Sequence, residues 1–382
     1  MVRIAATHTP AAGLAAIELV EGPQGRLALR RARPRRDGRL MLQYAGAHGA
    51  LVAGQWHPDP AMLGEVADAT PDSILVRANG TRVLVQPGGA DRRLAALAPL
   101  ARMPGSVLLV HRVERHAVVR TPAPDGPRYV KVVVPKRTAG VAAAARAAER
   151  LLGGNLAVPR LVAVDAQRGL LTFSEVPGRT LGEFLAGEAA AERAALITGR
   201  ALRAVHDTPP APGLAPRGHA EEAKRLRSLI GRVAPYDREL AAAIAQAAGP
   251  ALDRLAAAPP GTAVVHGDFH ERQVILDADG RPGMVDFDTL GIGDPALDLA
   301  NVLVRLELRA MLGGCTRAVA ERAAAALLDA HDPAPATIAA IPAYADVVRL
   351  RIACSFVLRP AHPALSRLVL ARLGRPPGTA LA

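Results

Sequence analysis

The stretch Val264–Val274, VVHGDFHERQV, combines imidazole, carboxylate and carboxamide side chains at short spacing. His266, Asp268 and His270 occupy every second position, and Gln273 follows three residues later. Side chains two residues apart share one face of an extended strand, so these three could approach one metal ion. On a loop, the same side chains could serve phosphoryl transfer instead, or have no chemical role. The sequence around the stretch bears on this choice.

The residues that follow predict a β-hairpin that begins at this stretch. QVIL and GMVDF have strand-like composition, and Asp279-Gly280 between them is a turn signal. Asp286 comes eighteen residues after Asp268, at the end of the returning strand. Because a hairpin brings the chain back beside its starting point, we expect Asp268 and Asp286 to converge. Gln273 projects from the same loop.

Phosphoryl transfer from ATP would give each of these residues a task. The chemistry needs a carboxylate at the acceptor hydroxyl, oxygen ligands for Mg²⁺ and a cation on the phosphates. Asp268 could be the carboxylate at the acceptor, and Asp286 and Gln273 could supply oxygen ligands for Mg²⁺. Lys131 in YVKVVV could be the cation on the phosphates, because a lysine within an apolar strand is costly unless it reaches water or a partner. Glu149, on the next predicted helix, is a candidate partner.

These motifs and their order resemble the aminoglycoside phosphotransferase and choline kinase-like family, which is related to protein kinases. VVHGDFHERQVIL resembles the HGDxxxxN catalytic loop, and MVDFDTLGIGDPALDLA resembles the metal-binding segment and the helix start after it. FSEVPGRTL resembles the connection between the lobes, and ALRAVHDTP resembles the helix end before the substrate-lobe insert. The resemblance covers about residues 105–360. The paired HGD and DFD motifs are its most specific part.

The resemblance implies an α+β, bilobal protein kinase-like fold, with a β-rich N-lobe and a mostly helical C-lobe. An extra β-rich region precedes the N-lobe. The expected division is an N-terminal extension of unknown role at 1–100, an N-lobe at 101–178, and a helical C-lobe at 179–382 with the catalytic loop at 264–288. ATP and Mg²⁺ are the implied cofactors, and a small-molecule hydroxyl compound is the implied partner.

Residue roles follow from the resemblance position by position. Asp268 would be the catalytic carboxylate near the acceptor hydroxyl. Gln273 and Asp286 would bind Mg²⁺, assisted by Asp288. The remaining positions would hold the nucleotide or the loop: Lys131 would contact the α- and β-phosphates and pair with Glu149, the backbone around Ser174, Glu175 and Val176 would receive adenine, and His266 and Asp298 would hold the loop by hydrogen bonds.

Two positions depart from the family pattern. Gln273 stands where the family has Asn, which makes the carboxamide arm one methylene longer. Mg²⁺ demands near-octahedral geometry at about 2.1 Å, so the longer arm must bend or the loop must shift. The first strand turn, HRVERH, has no glycine, which makes a close approach of its backbone to phosphates harder.

The remaining sequence outlines the secondary structure. Turn signals at Asp37-Gly38 and Asn79-Gly80 predict two hairpins in the first hundred residues, and GADRRLAALAPLARM predicts a short helix. Strand patterns dominate 105–185. Apolar spacing beyond 189 predicts helices over these ranges: 189–206, 220–233, 237–257, 295–312, 316–331, 335–358 and 363–373.

The composition and the distribution of charge indicate which kinds of partner to expect. The 382 residues are 50% hydrophobic and carry a formal charge of +12, and all but three of the basic residues are arginine. The arginines are spread along the chain, and the dense run Arg30–Arg39 contains Pro34 and Asp37-Gly38, which indicates a solvated turn. We therefore expect no nucleic-acid partner.

Localisation rests on the cysteines and on hydropathy. Cys315 and Cys354 show neither metal-site nor disulfide spacing, which is typical of a reducing compartment. No apolar stretch approaches the ~18 residues of a membrane span. Pro10 and Glu18 interrupt any signal-peptide core after the early Arg3. The sequence indicates a cytoplasmic protein without a membrane partner.

Three functions stay open at this level. The first is a small-molecule kinase acting on a metabolite, sugar or antibiotic. HAEEAKRLRSLIGR is net positive, which favours a neutral or anionic acceptor over a polycationic antibiotic. The second is a catalytically weak, nucleotide-binding regulator, suggested by Gln273 and the glycine-free turn. The third is a metallohydrolase that uses His266, Asp268 and His270, although no second His/Asp cluster completes its site.

Overall fold

The computed structural model describes residues 10–23 and 25–377, with the side chains of 10–13 left out. The prediction about a signal peptide rests partly on Arg3, which lies outside the described residues. The described chain forms a β-rich N-terminal part and a mostly helical C-terminal part. The predicted α+β architecture, with a β-rich part followed by a mostly helical part, is confirmed. No helix in the described ranges is long and apolar enough to cross a lipid bilayer.

A six-stranded antiparallel sheet, which we call the N-terminal sheet, occupies the first part of the chain. Helix α1 (Pro10–Ile17) precedes it, helix α2 (Pro60–Asp68) connects its fourth and fifth strands, and helix α3 (Leu97–Ala101) follows it. Its strands are β1 (Leu19–Gly22), β2 (Gly25–Pro34), β3 (Leu40–Ala45), β4 (Leu51–Trp56), β5 (Ile74–Ala78) and β6 (Thr81–Gln86), arranged in the order β1-β2-β3-β4-β6-β5.

Local chemistry explains the two predicted hairpins of this sheet. Asn79 and Gly80 both adopt positive φ, 45° and 82°, as a tight turn between β5 and β6 requires. Gly38 has φ 80° in the turn between β2 and β3. Buried Leu27 and Leu29 alternate with exposed residues along β2, and with Leu42 and Val83 they belong to a core of their own. The predicted helix in GADRRLAALAPLARM is confirmed only as the five-residue α3.

A second antiparallel sheet has the order β10-β11-β9-β8-β7 and is packed by one long helix. Its strands are β7 (Val107–Arg112), β8 (His116–Thr121), β9 (Arg128–Val133), β10 (Leu161–Asp165) and β11 (Leu170–Ser174), and helix α4 (Thr138–Leu152) connects β9 to β10. Lys131 is paired in register with Val118 on one side and Leu171 on the other. The lysine therefore projects from the middle of this sheet.

The C-terminal part buries a large apolar core between helices. Its helices are α5 (Leu181–Phe184), α6 (Glu188–His206), α7 (His219–Val233), α8 (Arg238–Ala257), α9 (Pro295–Met311), α10 (Arg317–His331), α11 (Pro335–Phe356) and α12 (Leu365–Leu370). Helix α9 begins at Pro295. The Asp294 side chain caps this helix by accepting a hydrogen bond from the Ala296 amide. The predicted helices between 189 and 358 agree with these bounds within two residues, whereas the last one, predicted over 363–373, is shorter.

Two small sheets interrupt the helices and carry the stretch Val264–Val274. Strands β12 (Arg179–Thr180), β15 (Val274–Leu276) and β16 (Pro282–Met284) form one sheet, and β13 (Ala215–Arg217), β14 (Ala263–Val265) and β17 (Gly291–Gly293) form the other. The predicted hairpin is β15–β16, with Val274 paired to Met284. The loop between β14 and β15 thus holds Asp268, and the segment after β16 holds Asp286.

The N-terminal sheet is joined to the rest of the molecule by polar contacts at several points. The Ala32 amide donates to the carbonyl of Leu358 at 2.9 Å, and the Tyr236 hydroxyl donates to the carbonyl of Gly38 at 2.7 Å. Arg39, only 6% exposed, lies within the run predicted as a solvated turn. Its guanidinium is held by Glu114 at 2.8 Å, so that prediction is wrong for Arg39.

Candidate active site

The loop between β14 and β15 is fixed by the side chain of Asp298 at the start of α9. Its carboxylate accepts hydrogen bonds from the amides of His266 at 2.7 Å and Gly267 at 2.8 Å. Gly267 has φ 81°, and a β-carbon there would lie 2.6 Å from the Thr289 carbonyl oxygen. The loop therefore requires glycine at this position, because any side chain would collide with the neighbouring segment.

His266 and His206 extend this support on either side of the loop. The Nε2 atom of His266 lies 3.1 Å from the Val285 carbonyl oxygen and donates to it. His206 Nε2 lies 3.3 Å from the Asp298 carboxylate, and its Nδ1 lies 2.8 Å from Nε2 of the buried His331. Sequence reasoning did not select His206 or His331, because the contacts join α6, α9 and α10.

Asp268 follows this frame and faces two arginines. Its Oδ1 atom accepts from Arg225 and Arg351, each at 3.3 Å, and a third of the side chain is exposed. Burial raises the pKa of Asp268, but the two guanidinium groups outweigh burial and lower the pKa to about 2. Asp268 is therefore a carboxylate at neutral pH. Sequence reasoning missed both arginines, which lie on α7 and α11; the only signal was the net positive charge of the α7 segment.

Gln273 has its side-chain oxygen inside the protein. The residue is 4% exposed, and among the described residues its Oε1 atom has no hydrogen-bond partner. The Val285 amide donates to the Gln273 backbone carbonyl at 3.0 Å, which places Asp286 immediately beside Gln273. Gln273 and Asp286 line the same cavity, as does Asp268. A buried carboxamide oxygen without a donor is costly unless something else satisfies it.

Asp286 and Asp288 approach Lys131 across the two halves of the molecule. The Lys131 ammonium donates to Asp286 at 2.9 Å and to Asp288 at 2.6 Å. Burial lowers the pKa of Lys131, but these two carboxylates outweigh burial and raise it. Asp286 has φ 67°, a left-handed conformation that is uncommon for a residue with a side chain and is enriched at functional sites.

Glu149 differs from the expectation. Within the described ranges it forms no ion pair or side-chain hydrogen bond, and Lys131 is paired with the aspartates instead. The physical reason is that two carboxylates near 3 Å neutralise one ammonium more completely than a helix glutamate at longer range. The partner predicted for Lys131 is therefore corrected to Asp286 and Asp288.

The connection after β11 leaves backbone groups available. The Ser174 hydroxyl accepts from the Arg160 amide at 2.9 Å, and Tyr129 donates to the Glu175 carboxylate at 3.3 Å. In the part of the chain that the structure describes, the backbone amides and carbonyls of Glu175 and Val176 are paired with no other backbone group. Such groups can recognise the edge of a planar ligand.

The three-ligand arrangement suggested by His266, Asp268 and His270 is not assembled. His266 is directed to Val285, and His270 accepts at Nδ1 from the Arg272 amide at 3.2 Å. No group of three or more His, Cys, Asp or Glu side chains placed to hold a metal occurs among the described residues. The geometry instead groups Asp268, Gln273 and Asp286 at one cavity, with Lys131 bonded to Asp286.

Comparison with known proteins gives a family for this arrangement. A model described as the phosphotransferase enzyme family matches residues 106–341. No curated protein matches the chain. Among solved structures, aminoglycoside phosphotransferase APH(3'')-Id from Streptomyces rimosus is 25% identical and has a TM-score of 0.49, over 67% of this chain and 98% of that chain.

Two further solved structures are similar in fold. Choline kinase LicA from Streptococcus pneumoniae is 14% identical, with a TM-score of 0.51 over 70% of this chain and 91% of that chain. The GDP complex of aminoglycoside 2'-phosphotransferase-IIIa is 13% identical, with a TM-score of 0.50 over 73% of this chain and 95% of that chain. Both similarities concern the fold.

Proposed function

The chain belongs to the phosphotransferase enzyme family, and from that premise we propose that it is a small-molecule kinase that transfers the γ-phosphate of ATP to a hydroxyl group. Family and fold together make it a phosphotransferase with an alcohol group as acceptor. The observation that carries the finer proposal is the grouping of Asp268, Gln273 and Asp286 at one cavity, with Lys131 bonded to Asp286.

Asp268 would orient the acceptor. An aspartate whose pKa lies at about 2 is a weak base, so it accepts a hydrogen bond from the hydroxyl rather than removing its proton beforehand. Phosphoryl transfer passes through a loose transition state and needs little deprotonation before the new P–O bond forms. The hydroxyl oxygen attacks the γ-phosphorus, the bond from that phosphorus to the bridging β-phosphate oxygen breaks, and ADP leaves with the bonding electrons. As the new P–O bond forms, the hydroxyl proton becomes acidic and passes through Asp268 to water.

Lys131 and the connection after β11 would hold the nucleotide. Lys131 projects from the centre of the second sheet with a raised pKa, so it stays cationic at neutral pH and can contact phosphate oxygens. The available backbone groups of Glu175 and Val176 suit the donor and acceptor edge of adenine. One similar structure was solved with GDP, which supports a nucleotide on this fold.

The residues present fit Mg²⁺. The unsatisfied Oε1 of Gln273 and the carboxylates of Asp286 and Asp288 are hard oxygen donors, which Mg²⁺ prefers over nitrogen or sulfur ligands. These three residues would hold the ion. When bound, it would neutralise charge on the transferred phosphate. The buried oxygen of Gln273 supports a working ligand despite the extra methylene, and it argues against a lesion that leaves only a weak regulator.

ATP turnover with a panel of hydroxyl compounds tests the proposal. We expect at least one compound to stimulate ADP formation by wild-type protein and Asp268→Ala to lower that rate at least ~100-fold. Asp268→Asn, which keeps the shape of the side chain, separates loss of charge from loss of packing. If wild type and Asp268→Ala turn over ATP equally with every compound while both bind nucleotide, the protein is a nucleotide-binding regulator and the kinase proposal fails.

A further inference from the structure

The cavity beside Asp268 carries a large excess of positive charge. Its volume is about 1400 Å³, and its described lining includes fifteen Arg and Lys side chains against four Asp and Glu. That excess of eleven charges nearly equals the +12 of the entire sequence. The arginines look scattered along the chain, yet the fold directs their excess into one concave site.

Four of these arginines, which we call the arginine cluster, come from different parts of the fold. Arg31 lies on β2 of the N-terminal sheet, Arg112 on β7, Arg305 on α9, and Arg359 follows α11. Within the described ranges, none of the four forms an ion pair or a side-chain hydrogen bond. The Nε atoms of Arg31 and Arg359 and one Nη of Arg112 are buried without a partner. The guanidinium of Arg359 stacks on Phe356 at 3.7 Å.

Such a cluster is electrostatically unfavourable by itself. Burial and then repulsion from Arg359, Arg112 and Arg305 lower the pKa of Arg31, and the same two causes lower the pKa of Arg359. Arg225 and Arg351, on the same cavity, already have acidic partners in Asp268 and Glu222. The arginine cluster has none, and like charges in a confined site are relieved most directly by a bound anion.

The cavity extends from the proposed metal site past Asp268. Gln273, Asp286 and Asp268 line it, whereas Lys131 and the segment Ser174–Val176 do not. The cavity therefore includes the place beside Asp268 where an acceptor would sit, and it does not reach the residues proposed for adenine and the α- and β-phosphates. It is also concave and formed from several elements, which suits an enclosed small molecule rather than a nucleic-acid duplex on a basic face. Its volume lies above the usual range of roughly 300–1,000 Å³ for small-ligand sites.

We propose that the acceptor is a polyanionic hydroxyl compound bearing phosphate groups, and that the arginine cluster, including Arg31 from the N-terminal sheet, binds those groups while Asp268 orients the hydroxyl. Guanidinium groups match phosphate because their paired N–H donors bind two oxygens at once. That the bound compound is the acceptor of the phosphate rests on the proposed kinase function, but binding of an anion at this site does not require turnover. The N-terminal sheet thereby becomes a wall of the acceptor site.

Calorimetric binding of glucose, glucose 6-phosphate and glucose 1,6-bisphosphate tests the site, since these compounds share one sugar and differ in the number of phosphate groups. We expect affinity to rise at least ~100-fold from glucose to the bisphosphate and to fall with added salt. Arg31→Gln and Arg359→Gln should each weaken bisphosphate binding about tenfold. Arg82→Gln is the matched control, because it removes the same charge from an exposed position of the N-terminal sheet outside the cavity. Equal affinity for glucose and the bisphosphate would overturn the proposal.

A second arm decides whose phosphates the cluster binds. The titration is repeated with the Mg²⁺ complex of a non-hydrolysable ATP analogue at saturation. Unchanged or tighter bisphosphate binding supports a separate acceptor site, whereas competition would mean that the arginines hold the nucleotide's own phosphates. A single-stranded oligonucleotide that binds more tightly than the bisphosphate would overturn the small-molecule assignment.

The two proposals fail in different ways. If the bisphosphate binds and depends on Arg31 but no hydroxyl compound is phosphorylated, the anion site stands and the kinase proposal falls. If neutral acceptors are phosphorylated and Arg31→Gln changes neither their kcat/KM nor the binding of the bisphosphate, the kinase proposal stands and the anion site falls. Because each variant removes a repelled charge, its thermal midpoint should stay within a few degrees of that of wild type.

Discussion

The surroundings of Asp268 make its carboxylate a weaker base than an ordinary aspartate. Its pKa is lowered to about 2, so the carboxylate form exists above that value and is lost as pH falls through it. We expect no acid limb from Asp268 in the kcat/KM profile between pH 5 and 8. Arg225→Gln removes one of the two stabilising cations and should raise the pKa of Asp268 towards its ordinary value.

The pH–rate profile of both proteins checks this prediction. Arg227→Gln serves as the control, because Arg227 lies on the same helix and lines the cavity without a hydrogen bond or ion pair to Asp268 in the described structure. An acid limb near pH 6 in wild type that Arg225→Gln leaves in place would show that Asp268 is not held as described.

Gln273 decides whether the departure from the family pattern is tolerated. Its oxygen is buried without a partner, so replacing the carboxamide with Leu should cost little stability but raise the Mg²⁺ concentration for half-maximal activity about 10–100-fold. Gln273→Asn shortens the arm and should also lower activity, since the surrounding loop is built for the longer side chain. A Mg²⁺ titration of initial rates measures both effects, and an unchanged Mg²⁺ requirement in Gln273→Leu would exclude Gln273 as a ligand.

Substitutions of Lys131 and of Glu149 test which carboxylates pair with the lysine. Lys131→Met should lower kcat/KM at least ~100-fold, because it removes the cation proposed for the phosphates. Glu149→Gln should change kcat/KM less than about threefold, because Glu149 does not contact the lysine. Steady-state kinetics of the two variants distinguish the arrangements, and comparable losses would indicate that Glu149 is the working partner during turnover.

At the scale of elements, the turn between β7 and β8 explains how a glycine-free sequence is accommodated. Glu114, at φ 57° and 2% exposed, binds Arg39 at 2.8 Å, Arg92 at 2.7 Å and Arg35 at 3.0 Å. The Glu114 amide donates to Asp91 at 2.8 Å. The turn is therefore fastened to the N-terminal sheet by buried charge pairs, and its position does not depend on glycine.

Glu114→Gln should destabilise the molecule, because it leaves the buried Arg39 with only the more exposed Asp37 carboxylate as a charged partner. Removing one member of a buried pair costs about 3–5 kcal/mol, and the partial exposure of Arg35 and Arg92 places this case near the lower end. Burial raises the pKa of Glu114, but Arg39 and Arg92 outweigh it and lower the pKa. This stability is therefore present above the ordinary glutamate pKa and is lost as pH falls through the lowered value.

Thermal unfolding of wild type and variant at pH 7 and pH 3 measures both effects. The difference between them should shrink at the lower pH. Glu65→Gln, on α2 of the same N-terminal part, controls for loss of a negative charge, because Glu65 forms no ion pair in the described structure. A Glu114→Gln protein as stable as wild type at pH 7 would contradict the buried network.

At the scale of the whole molecule, local patterns anticipated most elements but few long-range contacts. Helical spacing located α6 to α11, and turn dipeptides located the hairpins, since these signals act within a few residues. Strand β4 and helix α2 carry no comparable signal and were not predicted. The DFD and HGD motifs indicated Asp268 and Asp286, because a hairpin makes their convergence a local event.

The contacts that sequence could not reveal join distant segments. Arg225 and Arg351 meet Asp268 from two helices, and Lys131 meets Asp286 across 155 positions of the chain. The location of the positive charge could not be predicted from the sequence for the same reason. Arginines that are spread evenly along the chain come together at one cavity in the fold. The division into segments 1–100, 101–178 and 179–382 stays a prediction, although the N-terminal sheet and the arginine cluster suggest that the first segment serves the acceptor site.

The most direct test of the central claim is transfer of label from γ-labelled ATP to a hydroxyl compound. Wild-type protein with Mg²⁺ should place the label in a phosphomonoester of at least one acceptor, with phosphorylated acceptors favoured over their neutral counterparts. Asp268→Ala should reduce that transfer at least ~100-fold while nucleotide binding persists. Label that appears only as inorganic phosphate, at the same rate in wild type and Asp268→Ala, would contradict the account.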